Sequence, residues 1–206
     1  YLYSTDLSGS LPSSMDLPNL EDIRLHSTGL TGTIPEGFWK QTALTYFDFG
    51  GTKIAGSISS SISNLTNLEY LRIQSTGISG QMPDAVCKLT AIKSMGLNRN
   101  DLAGTLPSCL GNLQSMTYFG VAFNMFEGTV PNSFANLTSL WALELYNNNF
   151  HGGFPTLDSA LEVLHIGSNQ FTGTLPASLG SLKSLTLLAC SENAFSGTLP
   201  ESFGQI

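Results

Sequence analysis

The side chains best able to catalyse a reaction are scattered along this chain. The three histidines, His26, His151 and His165, follow no metal-ligand spacing. Asp48 and Glu69 are predicted to lie on neighbouring strands, but paired acids without a cleft remain solvated. No glycine-rich phosphate loop of the G-x-G-x-x-G kind occurs. We therefore expect no enzyme, no metal and no cofactor in this segment.

The three cysteines stand in two different settings. Cys190 occupies a leucine position of a strand pattern, so we interpret it as a small buried hydrophobic residue. Cys87 and Cys109 lie in the return segments of adjacent repeats, two register positions apart. A disulfide requires Cα atoms within about 7 Å, and this pair is borderline. The sequence therefore leaves the state of the pair open.

A repeat of about 24 residues, a period typical of solenoids, determines how these side chains are arranged. Its first leucine position recurs with one shorter step of 21 residues, at Leu20, Leu44, Leu68, Ile92, Met116, Leu140, Leu161 and Leu185. A second block, such as Leu102-Ala-Gly-Thr-Leu-Pro107, follows each of these positions. We predict that residues 1–206 form a single solenoid, with an opening half repeat and about eight further repeats.

Each repeat predicts three elements. The L-x-L alternation has a period of two and indicates a short strand with one buried face. The Gly-x-(Leu/Ile)-Pro block indicates a second extended stretch, which proline ends because it has no N–H to donate. A serine-rich, loosely helical return such as 108–113 follows. One repeat cannot bury its own apolar edge, but stacked repeats share a core, so eight complete strands should form a parallel sheet.

A buried polar position follows each predicted strand. A carboxamide both donates and accepts, so a column of asparagines can satisfy backbone groups of adjacent repeats. We predict such a structural ladder at Asn100, Asn124, Asn148, Asn169 and Asn193. The early repeats carry threonine there, at Thr5, Thr28, Thr52 and Thr76. A hydroxyl offers fewer bonds, and the early part of the ladder should therefore be less complete.

The combined pattern, L-x-x-L-x-L-x-x-N-x-L-x-G-x-I-P, resembles the plant-type leucine-rich-repeat family. The resemblance implies an α/β solenoid. In that fold, a right-handed superhelix has a concave parallel sheet, short second strands and loosely helical, 3-10-like convex returns. Family members include receptor-kinase ectodomains and polygalacturonase-inhibiting proteins, and related arrays occur in protist and algal surface proteins. The chain lacks the paired-cysteine caps usual at both ends of such proteins, and we interpret it as a fragment.

Composition and charge exclude several classes of function. The net charge is −7, so no basic surface is available to neutralise the phosphates of a nucleic acid. The apolar runs are only a few residues long and cannot span a membrane, and we expect no direct membrane contact. Neither a signal peptide nor an anchor is present in the segment. The family resemblance nevertheless implies an extracellular or cell-surface location through the secretory pathway.

The outward strand positions carry the best candidates for binding. All six tyrosines fall on this face, and Tyr46, Tyr70 and Tyr118 share one column, with Ser94 between them. Large, stiff rings that also form hydrogen bonds are favoured anchors in interfaces. In the middle column, Arg24, Asp48 and Arg72 alternate in charge and should neutralise one another across strands. The partner-binding residues that we predict are Tyr46, Tyr70, Arg72, Tyr118, Phe123, Trp141, Glu144, Tyr146 and His165.

Two sequons predict N-glycans, at Asn64 and Asn136. The two asparagines occupy the same position of the pattern, three full repeats apart, so both share one side of the solenoid. Both lie in return segments, where a glycan would leave the concave face free. The same spacing is also expected if Asn-Leu-Thr is only the consensus of the repeat at this position and carries no glycan.

We expect the function to be extracellular recognition of a protein or peptide, with a glycan as an alternative ligand. A second hypothesis is inhibition of a secreted cell-wall-degrading enzyme, and a third is a structural repeat within a larger assembly. A fourth is ice binding through hydroxyls beside the repeated glycine. That row contains Thr31, Thr33, Thr105, Thr129, Thr172, Thr174, Ser196 and Thr198 and is interrupted by Gln81, Glu127 and His151.

Overall fold

The computed structural model describes residues 3–158 and 160–205. Over these ranges the chain forms two parallel β-sheets and short 3-10 helices, and no α-helix occurs in them. Tyr1, which we expected on the binding face, lies outside the described residues.

The first sheet is the one predicted to be concave, and its strands follow one another in chain order. Each strand has three residues. The middle side chain is fully buried in the six central strands, as with Phe47 and Leu143, while the flanking residues face away from the core. The eight strands are Asp22–Arg24, Tyr46–Asp48, Tyr70–Arg72, Ser94–Gly96, Tyr118–Gly120, Ala142–Glu144, Val163–His165 and Leu187–Ala189.

The second sheet is formed by short strands that lead into the Gly-x-(Leu/Ile)-Pro blocks, and five of the nine strands end at the repeated glycine, earlier than the sequence predicted. Its repeated glycine adopts a left-handed backbone, with φ of +80° at Gly128. A Cβ at Gly128 would lie 2.9 Å from the Thr105 Cγ2 of the preceding repeat, so only glycine fits without a shift. The nine strands are Ser8–Ser10, Gly29–Thr33, Lys53–Gly56, Gly77–Gln81, Asp101–Gly104, Met125–Gly128, Asn149–Gly152, Gln170–Gly173 and Ala194–Phe195.

Short 3-10 helices form the returns, and a proline precedes most of them because its fixed φ suits a first helical turn. They span Glu36–Lys40, Ser60–Asn64, Asp84–Lys88, Ser108–Asn112, Asn132–Asn136, Ala177–Ser181 and Glu201–Gln205. The shorter repeat, between Leu140 and Leu161, has no such helix in its described part. Its deletion is about the length of one 3-10 turn, and the buried side chains of Phe154 and Leu157 occupy that part of the core.

Stacked phenylalanines run through the core of the later repeats. The ring centroids of Phe126 and Phe150 are 6.1 Å apart, those of Phe150 and Phe171 are 6.2 Å apart, and those of Phe171 and Phe195 are 6.0 Å apart. All three pairs are nearly parallel. Phenylalanines at the same position of successive repeats thus pack neighbouring repeats together. No single repeat could bury these rings alone.

Asparagine side chains connect each later repeat to the one before it. Asn148 Nδ2 donates to Leu145 O in its own repeat (3.0 Å) and to Val121 O in the preceding one (2.9 Å). Its Oδ1 accepts the Phe126 N–H at 2.9 Å. In the other ladder asparagines, Nδ2 likewise donates to one carbonyl of its own repeat and one of the preceding repeat. These residues are Asn100, Asn124, Asn169 and Asn193.

The threonines of the early repeats make fewer of these connections. Thr28 Oγ1 donates to Leu25 O and Thr52 Oγ1 to Phe49 O, both at 2.8 Å and both within one repeat. Thr76 is intermediate between the two kinds of repeat. Its hydroxyl oxygen lies within hydrogen-bond distance of Ile73 O (3.1 Å) and of the amide oxygen of Asn100 in the next repeat (2.6 Å), and its single proton can be donated to either.

Cys87 and Cys109 form a disulfide, which settles what the sequence left open. Their Cα atoms are 5.8 Å apart, and the bond connects the 3-10 helices Asp84–Lys88 and Ser108–Asn112. Cys190 is free and packs against the core, but it is only partly buried, so it is less buried than the sequence predicted.

We expect Asn148→Ala to lower the free energy of unfolding by about 1–3 kcal/mol. It leaves the Phe126 N–H buried without a partner and removes one of the two asparagine donors to each of Val121 O and Leu145 O. Urea denaturation followed by circular dichroism would measure this loss. Asn148→Thr is the matched control, since Thr52 at the equivalent position satisfies one carbonyl, and it should lose less. Equal stability of Asn148→Ala and the unaltered chain would contradict this role.

Candidate binding face

The first sheet aligns the predicted tyrosines in one column. The register pairs Tyr46 with Tyr70, Tyr70 with Ser94, and Ser94 with Tyr118. A second column two residues further along each strand brings Glu144 beside His165. The shorter repeat does not disturb this alignment, because its deletion lies in the return.

Rings and guanidinium groups form a first cluster at Arg24, Tyr46, Tyr70 and Arg72. The Tyr46 and Tyr70 rings stack with centroids 5.0 Å apart. The guanidinium carbons of Arg24 and Arg72 lie 4.0 and 5.4 Å from the Tyr46 centroid. These are cation–π distances, so the two cations and the two rings stabilise one another.

The charges of the middle column pair differently from the expectation. Arg24 donates two hydrogen bonds to Asp22 in its own strand, at 3.0 and 2.8 Å. The carboxylate of Asp48 is almost fully buried and accepts the Gly50 N–H at 2.9 Å. The short aspartate side chain therefore folds back onto its own backbone, where an N–H is available.

A hydrogen-bonded network fixes a second cluster around Tyr118. Its hydroxyl donates to Glu144 Oε2 at 2.8 Å, and Asn98 Nδ2 donates to both of these oxygens at 2.9 Å. Tyr118 lies over Gly120, where a Cβ would collide with the tyrosine hydroxyl. Burial, together with the Glu144 carboxylate, raises the pKa of Tyr118, so the hydroxyl remains a donor.

A row of rings extends this second cluster towards later repeats. The Arg99 guanidinium carbon lies 4.3 Å from the Phe123 centroid, Phe123 meets Tyr146 edge-on at 4.9 Å, and Tyr146 stacks on His165 at 3.8 Å. Phe123 has a φ of 54°, a left-handed conformation that costs a bulky residue about 1–2 kcal/mol. This conformation directs its ring along the face.

A depression of about 460 Å³ separates the two clusters. Its floor contains Ser94 and Gly96, two small residues of one strand. The surrounding side chains are Tyr70, Arg72 and Gln74 towards the first cluster, and Asn98, Thr117, Tyr118 and Trp141 towards the second.

The nine predicted binding residues therefore form two groups rather than one patch. Tyr70, Arg72, Tyr118 and Trp141 border the depression, while Tyr46 supports it from one side and Phe123, Glu144, Tyr146 and His165 from the other. Sequence reasoning missed five lining residues, Gln74, Ser94, Gly96, Asn98 and Thr117. The signal that could have found the depression is Ser94, a small residue within the tyrosine column, with Gly96 in the same strand.

Outside this face, the predicted glycosylation sites Asn64 and Asn136 are both exposed, and each is the last residue of a 3-10 helix. Within residues 3–158 and 160–205, no three histidine, cysteine or acidic residues come close enough to hold a metal ion. No helix in the described part of the chain is both long and apolar enough to cross a bilayer.

We expect the pKa of His165 to lie below the usual value of about 6.5, because burial disfavours the charged ring while Glu144 partly opposes this effect. NMR titration of the imidazole should give a still lower pKa in Glu144→Gln. Because the pKa is lowered, the stability that the neutral His165 ring contributes is fully present above about pH 6.5. It is lost as the pH falls through the folded-state pKa. The stability of His165→Phe should lack this dependence on pH. A higher pKa of His165 in Glu144→Gln would contradict the assigned effect of the Glu144 carboxylate.

Comparison with known proteins supports the repeat from both sequence and structure. The family model described as Leucine Rich Repeat matches residues 67–89 and 160–182. No curated protein matches the chain significantly.

Among solved structures, the plant peptide hormone receptor RGFR1 in complex with RGF2 superimposes with a TM-score of 0.97 at 29% identity. The match covers 100% of this chain and 34% of that one. The ectodomain of the Arabidopsis thaliana receptor kinase GASSHO1/SCHENGEN3, in complex with CASPARIAN STRIP INTEGRITY FACTOR 2, gives 0.92 at 32% identity, covering 97% and 24%.

A plant ice-binding protein also matches, with a TM-score of 0.72 at 25% identity over 94% of this chain and 71% of that one. The chain thus spans about a third or less of the two receptors and most of the ice-binding protein. The repeated strands, the 3-10 returns and these matches identify the chain as a member of the plant-type leucine-rich-repeat family.

Proposed function

We propose that this segment is an extracellular recognition module that binds a peptide or protein through the exposed face of the first sheet. The observation that carries the proposal is the depression between two prearranged aromatic clusters. The similar receptors bind RGF2 and CASPARIAN STRIP INTEGRITY FACTOR 2, which supports a peptide as the ligand class. The role is binding rather than catalysis.

The chemistry of the face fits recognition. Trp141 is 43% exposed, and tyrosine, tryptophan and arginine dominate the energetic centres of interfaces. Hydrogen bonds hold Tyr118 in place, and cation–π contacts hold Tyr46, so little conformational entropy is lost when a partner binds.

The dimensions of the face fit a short extended peptide. Five steps between strands separate Arg24 from Glu144, and at about 4.8 Å a step these cover about 24 Å. An extended chain rises about 3.3 Å per residue, so about seven residues would cross the face.

The hydroxyl side of the second sheet supports no second proposal, although an ice-binding protein is similar to this chain. A surface that orders ice needs a regular array. Here six residues without a hydroxyl interrupt the two columns beside the repeated glycine: Ala55, Gln81, Ala103, Glu127, His151 and Gly153. In addition, Thr31 Oγ1 donates to Gly9 O at 3.2 Å.

We further propose that Asn64 and Asn136 carry N-glycans and that the chain passes through the secretory pathway. Both side chains are exposed on return segments, so glycans there would leave the first sheet accessible.

We expect the triple variant Tyr118→Ala, Trp141→Ala, Tyr146→Ala to bind peptides at least about 30-fold more weakly, because it removes the anchor side chains. The peptides would be selected on the unaltered chain from a random heptapeptide library, and affinity would be measured by calorimetry. Circular dichroism would confirm that the fold survives.

The matched control is Thr105→Ala, Thr129→Ala, Thr174→Ala, which truncates three exposed side chains that directly follow strands of the second sheet, and it should retain affinity. Selected peptides that bind the tyrosine–tryptophan variant as tightly as the unaltered chain would refute the proposed face. Selective binding to a folded pectinase would favour the inhibitor hypothesis instead.

We expect expression through a eukaryotic secretory pathway to give a product with two glycans. Asn64→Gln and Asn136→Gln should each remove one mass increment, and the double variant should be insensitive to peptide N-glycosidase. Mass spectrometry of the intact protein measures this, and an unmodified secreted product would contradict the assignment.

A further inference from the structure

One position of the tyrosine column lacks a ring. Tyr46 and Tyr70 stack with centroids 5.0 Å apart, close to the spacing of about 4.8 Å between neighbouring strands. The register then places Ser94 beside Tyr70, followed by Tyr118. Among the described residues, no side chain stacks on the face of the Tyr70 ring that points away from Tyr46.

Neighbouring residues keep that place open. Gly96 adds no side chain to the same strand, and Tyr118 leans along its own strand over Gly120 to reach Glu144. Ser94 and Gly96 are both buried beneath the surrounding rings. The resulting depression, at about 460 Å³, is within the range of small-ligand sites.

An unpartnered acceptor lines this depression. Gln74 Oε1 is buried, and no donor within the described residues reaches it. Buried polar atoms normally have a hydrogen-bond partner, so an exception requires an explanation. A ligand group that supplies an N–H or O–H would satisfy it, whereas a carboxylate or an apolar group would not.

From these observations we propose that the depression receives a tyrosine or tryptophan side chain of the bound peptide. The ring stacks on Tyr70 above Ser94, in the position missing from the column. Its O–H or N–H donates to Gln74 Oε1, which turns from its buried position towards the bound ring. This inference rests on the proposed function, because it assigns the side chain that the same face selects.

Selection from the random heptapeptide library tests the assignment. We expect tyrosine or tryptophan to be enriched at one position of the peptides that bind the unaltered chain. Ser94→Tyr should weaken these peptides at least about tenfold, because the chain's own ring then occupies the site. Ser94→Ala is the matched control, which keeps the space open and should retain affinity, and circular dichroism confirms that both variants fold.

A second measurement tests the donor. Replacing the selected tyrosine of a peptide by phenylalanine should weaken binding to the unaltered chain about tenfold. Gln74→Met removes the acceptor at similar size, and it should bind the tyrosine and phenylalanine peptides equally.

The outcomes separate this inference from the function on which it rests. Peptides that depend on Tyr118, Trp141 and Tyr146 but show no aromatic preference would overturn the inference alone. Unimpaired binding to Ser94→Tyr would do the same. Peptides whose affinity is unchanged by all of these substitutions on the exposed face of the first sheet would overturn the proposed function as well.

Discussion

Satisfaction of buried backbone groups between repeats is the constraint on which this structure depends. A stack of short strands and tight turns leaves many carbonyls and N–H groups away from water, and an unpaired one is costly. The Asn148 amide satisfies such groups in its own repeat and in the preceding one. Because the amide has one fixed reach, it also fixes the offset between neighbouring repeats. In the later repeats the columns of the exposed face follow from that offset, whereas in the early repeats the backbone pairing of the strands keeps Tyr46 beside Tyr70.

The sequence predicted the fold and the column membership well, because both follow from periodicity. The recurring leucines, prolines and asparagines specified strands, returns and ladder positions, and Tyr46, Tyr70 and Tyr118 fell into one column as expected. The missing 3-10 helix was not foreseen, although the shorter step from Leu140 to Leu161 marks the repeat that lacks it. A change in period locates a deletion without saying which element it removes.

The details of the face could not be predicted, because they depend on side-chain direction rather than register. Arg24 pairs with Asp22 of its own strand and lies over the Tyr46 ring of the next strand, rather than pairing with Asp48. Tyr118 leans over Gly120, which only a residue without a side chain permits. These two side-chain conformations divide the expected continuous row of aromatic and charged residues into two clusters with a depression between them. Small residues such as Ser94 and Gly96 matter here through the volume that they leave empty.

The position of the disulfide has a consequence for how the molecule comes apart. Stacked arrays lose their terminal repeats first, since each repeat is held only by its neighbours. The Cys87–Cys109 bond closes a loop that contains the strand Ser94–Gly96, so two consecutive repeats cannot separate independently. Unfolding that spreads from repeat to repeat would therefore have to open this crosslinked pair as one unit. The floor of the depression belongs to that unit.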